Sequence, residues 1–276
     1  MDLREWAQRI DCLMAKDVIV FEIWAPFAYF RKMETTTTSL TFSFMPRSAA
    51  EGLIGAILGL DFNESPEKLK DSRIAIRLKN PVEKSPFSST YTDTKEIWPR
   101  LRNIIHSYER PAPKPRRSVA FRTRVKTELL RNPHYRIYFD DTDEMKESLQ
   151  QKLQKHETVF TPYLGSSSMI ANFEYIGQYD YQTSRRNTLV QVASIIPFFN
   201  IMPKIQLEKG VTFAVEQNMP IHLTSERISV GTYSAVYNPF GAQLKVSDVV
   251  TQEIHSKEEM EHVIFIPTEI PPKEVT

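Results

Sequence analysis

The residues best suited to chemistry lie between positions 110 and 131, where Arg110, Lys114, Arg116, Arg117, Arg122, Arg124, Lys126 and Arg131 stand against one acid, Glu128. This segment carries +7 while the whole chain carries +1, so the remaining residues sum to −6. An acidic body with one concentrated cationic arm is the pattern expected of an element that binds an RNA or DNA backbone. Prolines at 111, 113 and 115 stiffen the arm, and Phe121 offers a flat surface for a base. Arg122, Arg124 and Lys126 alternate, so an extended strand projects them from one face. The ordinary alternative for a charge run is a solvated surface loop. Tyr29 and Tyr135, near Arg31, Lys32 and Arg136, add further stacking candidates, although a strand aromatic more often packs in a core.

Other constellations are weaker. Gly52, Gly55 and Gly59 lack the lysine and Ser/Thr of a phosphate loop and read as close packing of a helix on a sheet. Asp140, Asp141 and Asp143 lack the glycine and distal glutamate of a calcium loop and suit the positive end of a helix. Gly165-Ser166-Ser167-Ser168 has no second glycine for a nucleophile elbow. The six histidines form no HExxH pair, and the single cysteine, Cys12, forbids an internal disulfide or a cysteine-rich zinc site. The expectation is therefore no catalytic apparatus, no metal and no cofactor.

The elements that must position the arm follow from periodicity. Residues 18–24 read as a strand ended by a turn at Ala25-Pro26, and residues 35–44 as a second extended stretch. Ser48 and Glu51 have capping-box spacing at the start of a glycine-bearing helix. Strands follow at 73–78 and 135–139, a helix at 141–155, and a strand at 170–176 closed by Gly177. That order is a ferredoxin-like or RRM-like α+β arrangement with the basic arm, residues 108–132, inserted between its central strands. Residues 178–276 read as a smaller β-rich domain with runs at 189–196, 211–215, 221–223, 228–237, 243–246 and 263–266, a short helix before the last being suggested by Ser256 and Glu259. The domain expectation is an extension at 1–17, an RRM-like domain at 18–177 and the β-rich domain at 178–276. With 276 residues and 41% apolar content the chain can bury a sizeable core. No apolar run approaches the ~20 residues of a membrane span, and the first residues lack a signal-peptide core, so a cytoplasmic protein is expected.

Four blocks then carry a resemblance: FEIWAPFAYFRK (21–32), MPRSAAEGLIGAILGL (45–60), TRVKTELLRNPHYRIYF (123–139) and FTPYLGSSSMIANFEYIG (160–177). In this order, over roughly residues 18–240, they resemble the Cas-five family of CRISPR-associated RAMP-superfamily proteins, the most similar form being that of type I-B interference complexes. The resemblance implies a non-catalytic Cascade subunit that grips and caps the 5′ handle of crRNA and contacts the large subunit and the first backbone subunit. Target DNA near the PAM stays open as a further partner. The implied RNA-binding residues are Arg31, Lys32, Arg47, Arg116, Arg117, Phe121, Arg122, Arg124, Lys126, Arg131 and Tyr135, with Arg185 and Arg186 as a secondary pair. One branch of the family cuts precursor crRNA with a tyrosine, a lysine and a histidine. Lys126, His134 and Tyr135 are the nearest trio here and do not align with that pattern, so endoribonuclease activity is the alternative rather than the expectation. Residues 1–17 lie outside the resemblance, and the natural start stays open between Met1 and Met14.

Overall fold

The computed structural model describes residues 16–35, 38–92, 122–206, 210–226, 228–256 and 260–270, without the side chains of residues 91, 92, 122, 123 and 186. In chain order the elements are β1 (Lys16–Trp24), β2 (Phe27–Ala28), β3 (Thr38–Ser39), α1 (Arg47–Leu58), α2 (Ser65–Leu69), β4 (Arg73–Leu78), β5 (Glu83–Thr92), β6 (Arg122–Arg131), β7 (His134–Asp140) and α3 (Asp143–Lys155). They continue as β8 (Asn172–Arg186), β9 (Val190–Val192), β10 (Ile196–Phe198), β11 (Lys204–Ile205), β12 (Ala214–Leu223), β13 (Ser229–Tyr237), β14 (Leu244–Ser247), β15 (Val249–His255) and β16 (Met260–Val263). The class is mixed α+β with strands dominating.

The β-branched and aromatic run of β1 places it at the centre of the main sheet, antiparallel to β7 on one side and β8 on the other. β4 lies outside β7, giving the order β8-β1-β7-β4. Alternation then sorts the side chains. Ile19, Phe21 and Ile23 join Ile74, Ile76, Ile137 and Phe139 in the core that also holds Ile54 and Ile57 of α1 and Leu149 and Leu153 of α3. Val18, Val20, Ala75 and Tyr138 form a second cluster with Tyr181, Ile254 and Val263 on the opposite face. Each such side chain contributes about 1.5–3 kcal/mol on burial.

Both faces are dry because the sheet does not stop at β8. It continues through β15, β16, β9, β14 and β11 to nine strands and curls back on its first edge. Ile266 N donates to Ile74 O at 2.8 Å and Ile195 N donates to Ile76 O at 2.9 Å, so late residues pair the outer edge of β4. A separate sheet, β10-β13-β12, packs through Met219, Ile221 and Tyr233 onto the same core as α1.

Several local expectations are corrected. α1 starts at Arg47 behind Pro46 with no side-chain cap, and Glu51 pairs with Arg47 instead of closing a capping box with Ser48. The three glycines do not form one stripe on a sheet: Gly55 abuts Ser65 of α2, Gly52 meets nothing, and Gly59 ends the helix at φ +85°. β8 runs fifteen residues, straight past Gly177, where a bulge between Val20 and Phe21 of β1 adjusts the register. Among the described residues of 35–44 only Thr38–Ser39 is a strand, with Thr41 bridging Arg31. β15 and β16 pair as far as His255 and Met260, and the helix expected from Ser256 and Glu259 falls on residues 257–259, which lie outside the described residues. Among the described residues no helix is long and apolar enough to cross a membrane.

Candidate nucleic-acid interface

The basic segment enters the described structure as the second strand of a ribbon. β5 and β6 pair antiparallel over ten residues, from Glu83 opposite Arg131 to Thr92 opposite Arg122. The other edge of β6 holds β2, with Phe27 opposite Arg131, and β3, with Thr38 opposite Lys126. The root is anchored, since Leu129 and Leu130 are buried. Lys84 Nζ donates to Thr41 O at 3.1 Å and pairs with Glu128 Oε2 at 3.4 Å, while Thr41 N donates to the same oxygen at 3.3 Å. Glu128, the one acid of the segment, is thus engaged at the root and does not neutralise the strand above it.

Further along β6 the pattern is amphipathic. Arg124 and Lys126 are exposed, whereas Val125 and Thr127 are half-buried. Thr90 and Ser88 stand opposite the two cations, so hydroxyls and cationic groups share one face. At a rise of about 3.3 Å per residue the cations are roughly 7 Å apart. Neither forms an ion pair with a carboxylate among the described residues. Guanidinium and ammonium groups so placed, with hydroxyl donors beside them, can hold successive phosphates.

The remaining predicted residues divide sharply. Arg31 and Arg131 are exposed near the root. Lys32 pairs with Glu216 and lies 5.4 Å above the Phe42 ring, at the wall of a cleft of about 490 Å³. Glu216 also accepts Ser43 N at 2.9 Å, so Lys32 is partly committed to the fold. Arg116, Arg117 and Phe121 lie outside the described residues, as does the Arg122 side chain, although the Arg122 backbone pairs with Thr92. Arg185, in β8 opposite Val250, is exposed beside Asp248 at 3.6 Å, and the Arg186 side chain is not described.

Arg47 and Tyr135 are corrections. Arg47 has 0% exposure; its guanidinium pairs with Glu51 and donates to Lys70 O and Ser72 O at 2.8 Å each and to Ile221 O at 3.3 Å. Desolvation lowers its affinity for a proton, an effect the Glu51 charge opposes. Burial likewise pushes Glu51 up to about 8, against the pull of Arg47. His222 Nδ1 completes the knot at 3.1 Å from Glu51 Oε2. No phosphate can reach Arg47. Tyr135 is 2% exposed, its ring 6.4 Å from Phe30, and it cannot stack on a base. A basic residue at a helix start suggests an anion site from sequence, but here the helix start faces inward.

The same geometry dissolves the ribonuclease trio. Tyr135 is buried, His134 Nε2 is held 2.8 Å from Glu22, and Lys126 sits five residues up β6 from Arg131, roughly 17 Å along the ribbon. His134 belongs to a different network that sequence reasoning missed. Arg136 Nε meets Glu22 Oε1 at 2.9 Å, its Nη1 meets Glu261 Oε1 at 3.0 Å, and Arg77 and the Tyr138 hydroxyl also bind Glu261. Burial alone raises the Glu22 carboxyl, but hydrogen bonds from Arg136 and Lys79 outweigh it and hold the group below its ordinary range. Glu261 comes from β16 and Arg136 from β7, so the pairing stitches the end of the chain to its centre. Only the alternation of Glu22, Arg77 and Arg136 within apolar strands signalled it. Among the described residues no group of His, Cys, Asp and Glu could hold a metal ion.

The family profile described as CRISPR-associated protein (Cas_Cas5) matches residues 18–232. A chain of a CRISPR RNA-guided surveillance complex is similar at 13% identity and a TM-score of 0.48, covering 83% of this chain and 91% of that one. A CRISPR protein from Archaeoglobus fulgidus is similar at 14% identity and a TM-score of 0.46, covering 89% of this chain and 98% of that one. A chain of the type III-B Cmr-beta complex bound to cognate target RNA and AMPPnP is similar at 14% identity and a TM-score of 0.43, covering 83% and 86%. Comparison with curated proteins gives no match.

Proposed function

The chain belongs to the Cas5 family of CRISPR-associated proteins, and on that premise we propose that it is a non-catalytic crRNA-binding subunit of a type I Cascade complex, most similar to the type I-B form, acting in the cytoplasm. In this reading β1, α1, β4, β7, α3 and β8 form the ferredoxin-like or RRM-like unit of residues 18–177. Residues 178–276 form the β-rich unit that extends the same sheet. The β5–β6 ribbon is the arm that grips the 5′ handle, with Arg124 and Lys126 on phosphates and Arg116, Arg117, Phe121 and Arg122 continuing the contact. Arg31, Lys32 and Arg131 take the adjoining nucleotides. The large and first backbone subunits are the proposed protein partners, with target DNA near the PAM as a further one.

The observation that supports this reading most is the placement of Arg124 and Lys126 on one exposed face while Glu128 is engaged at the root. The test is binding of the full chain to single-stranded RNA carrying a repeat-derived 5′ handle. With about five phosphates contacted, the logarithm of affinity should fall against the logarithm of salt with a slope near −3.5. Incubating a repeat transcript with the protein in EDTA should return it intact; a discrete cut would instead establish the endoribonuclease alternative. Absence of RNA binding at low salt, alone and with co-expressed neighbouring subunits, would overturn the proposal.

A further inference from the structure

The cleft of about 490 Å³ beside Lys32 opens between the loop Lys32–Glu34 and the strands β12 and β13. Sites for small ligands commonly measure roughly 300–1,000 Å³. On β12 its wall is a bulge: Glu216 stands opposite Ala235 and Met219 opposite Tyr233, so Gln217 and Asn218 together face one residue, Ser234. Asn218 takes φ +56°, a left-handed conformation that asparagine tolerates, and both amide side chains are exposed. Asn218 Nδ2 donates to Glu34 Oε1 at 2.7 Å, which ties the bulge to the loop. The rest of the lining is held in place as well. Phe42 and Pro220 are buried, and Lys32 is pinned by Glu216, which accepts Ser43 N at 2.9 Å and the Ser43 hydroxyl.

The charges decide what fits. Lys32 and Glu216 cancel, and Glu34, exposed and without an ion pair among the described residues, leaves the lining with one net negative charge. A phosphate is repelled there, whereas a neutral planar group with N–H donors is matched. A carboxylate accepts best from two parallel donors. Among the RNA bases guanine alone offers them, through N1–H and the 2-amino group of its Watson–Crick edge; adenine and cytosine set an acceptor beside their amino group, and uracil flanks its N–H with two carbonyls. Resting on the RNA-binding reading above, we infer that this cleft receives the base of one unpaired guanosine, with Glu34 reading its Watson–Crick edge and its phosphate left outside. The Gln217 amide and the Thr232 hydroxyl supply donors for its acceptors, and Met33, Val215 and Pro220 supply apolar surface for its ring. Position favours RNA as the carrier of that base. Lys32 N donates to Leu40 O at 2.9 Å, and β3, just before Leu40, pairs Thr38 with Lys126, so the Cα atoms of Lys32 and Lys126 are at most roughly 17 Å apart.

The test measures binding of the full-chain protein to three labelled RNAs, oligouridylates that carry one central guanosine, inosine or adenosine. The guanosine RNA should bind roughly 5- to 150-fold more tightly than the adenosine RNA, the worth of one bidentate base contact, with inosine, which lacks only the 2-amino group, in between. Glu34→Gln alters an exposed side chain and should remove most of this preference while the slope of affinity against salt stays unchanged. Asn218→Gly keeps the left-handed backbone but releases Glu34 from its partner, and should weaken the preference in part. Equal binding of the three RNAs by the wild type, or a preference untouched in both variants, would overturn the guanine pocket and leave the acidic rim to an arginine of a protein partner, which offers the same pair of donors. Failure of the wild type to bind any of the three at low salt would instead sink the RNA-binding reading itself, and the pocket with it.

Discussion

Arg47 and Arg124 are both basic residues that sequence alone assigns to RNA, yet they sit in opposite environments. Arg47 is sealed at the start of α1 and spends its donors on Glu51 and on three carbonyls of two segments, Lys70 and Ser72 in one and Ile221 in the other. Arg124 stands exposed on β6, just beyond the point where β3 pairs at Lys126. The first charge holds the molecule together, because a buried guanidinium is tolerable only when every neighbour is arranged for it. The second is exposed and forms no ion pair with a carboxylate among the described residues.

The strongest way to break that contrast is Arg47→Ala. It strands Glu51 and several carbonyls in the interior, and the expected loss is about 3–5 kcal/mol, or a melting temperature lower by about 6–20 °C. The salt slope of RNA binding by the folded fraction should not move. An unchanged melting curve would mean that the knot is not structural. The second substitution inverts the readouts: Arg124→Ala/Lys126→Ala should flatten the salt slope by about 1.4 while shifting the melting temperature by only about 1–2 °C.

pH sharpens the contrast from inside. Glu51 binds its proton in the folded state up to about 8, well above the 4.5 of an ordinary glutamate. Its stabilising contribution is therefore complete below pH 4.5 and lost as pH rises to about 8. His222 shifts down from 6.5, chiefly through burial and then through Arg47, so its opposing effect operates below that pH. Between about pH 6.5 and 8 stability should fall with rising pH by at most about 1.4 kcal/mol per unit, and Glu51→Gln should remove the slope in denaturant melts at several pH values. Smallest of all is Arg185→Ala. This exposed residue of β8 pairs with Asp248 at 3.6 Å and is not on the β5–β6 ribbon, so stability should change by less than about 0.5 kcal/mol and RNA affinity should not change.

The strands and helices of the central sheet were legible because VIVFEIW, RIAIRL and YRIYF alternate or are uniformly apolar, and because the residues of α3 distribute charge along its axis. β5 was not legible: EKSPFSSTYT has few apolar residues and a proline, features an exposed ribbon strand tolerates and a buried one does not. Gly177 looked like a strand end and proved to lie beside a bulge, a difference set by the partner strand β1. For the site, the alternation of Arg124 and Lys126 was readable. The burial of Arg47 and Tyr135 was not, since inwardness is decided by segments as distant as Ile221 and Phe30.

The closing of β4 by Ile195 and Ile266 has a bearing on how the chain comes off the ribosome. β1, β4, β7 and β8 are all made before residue 195, so the newborn half can assemble its sheet with one flank bare. That bare flank is a template for any neighbouring nascent chain until the last seventy or so residues arrive to cover it. Premature termination in the β-rich part is therefore expected to yield sticky fragments rather than a working half-subunit.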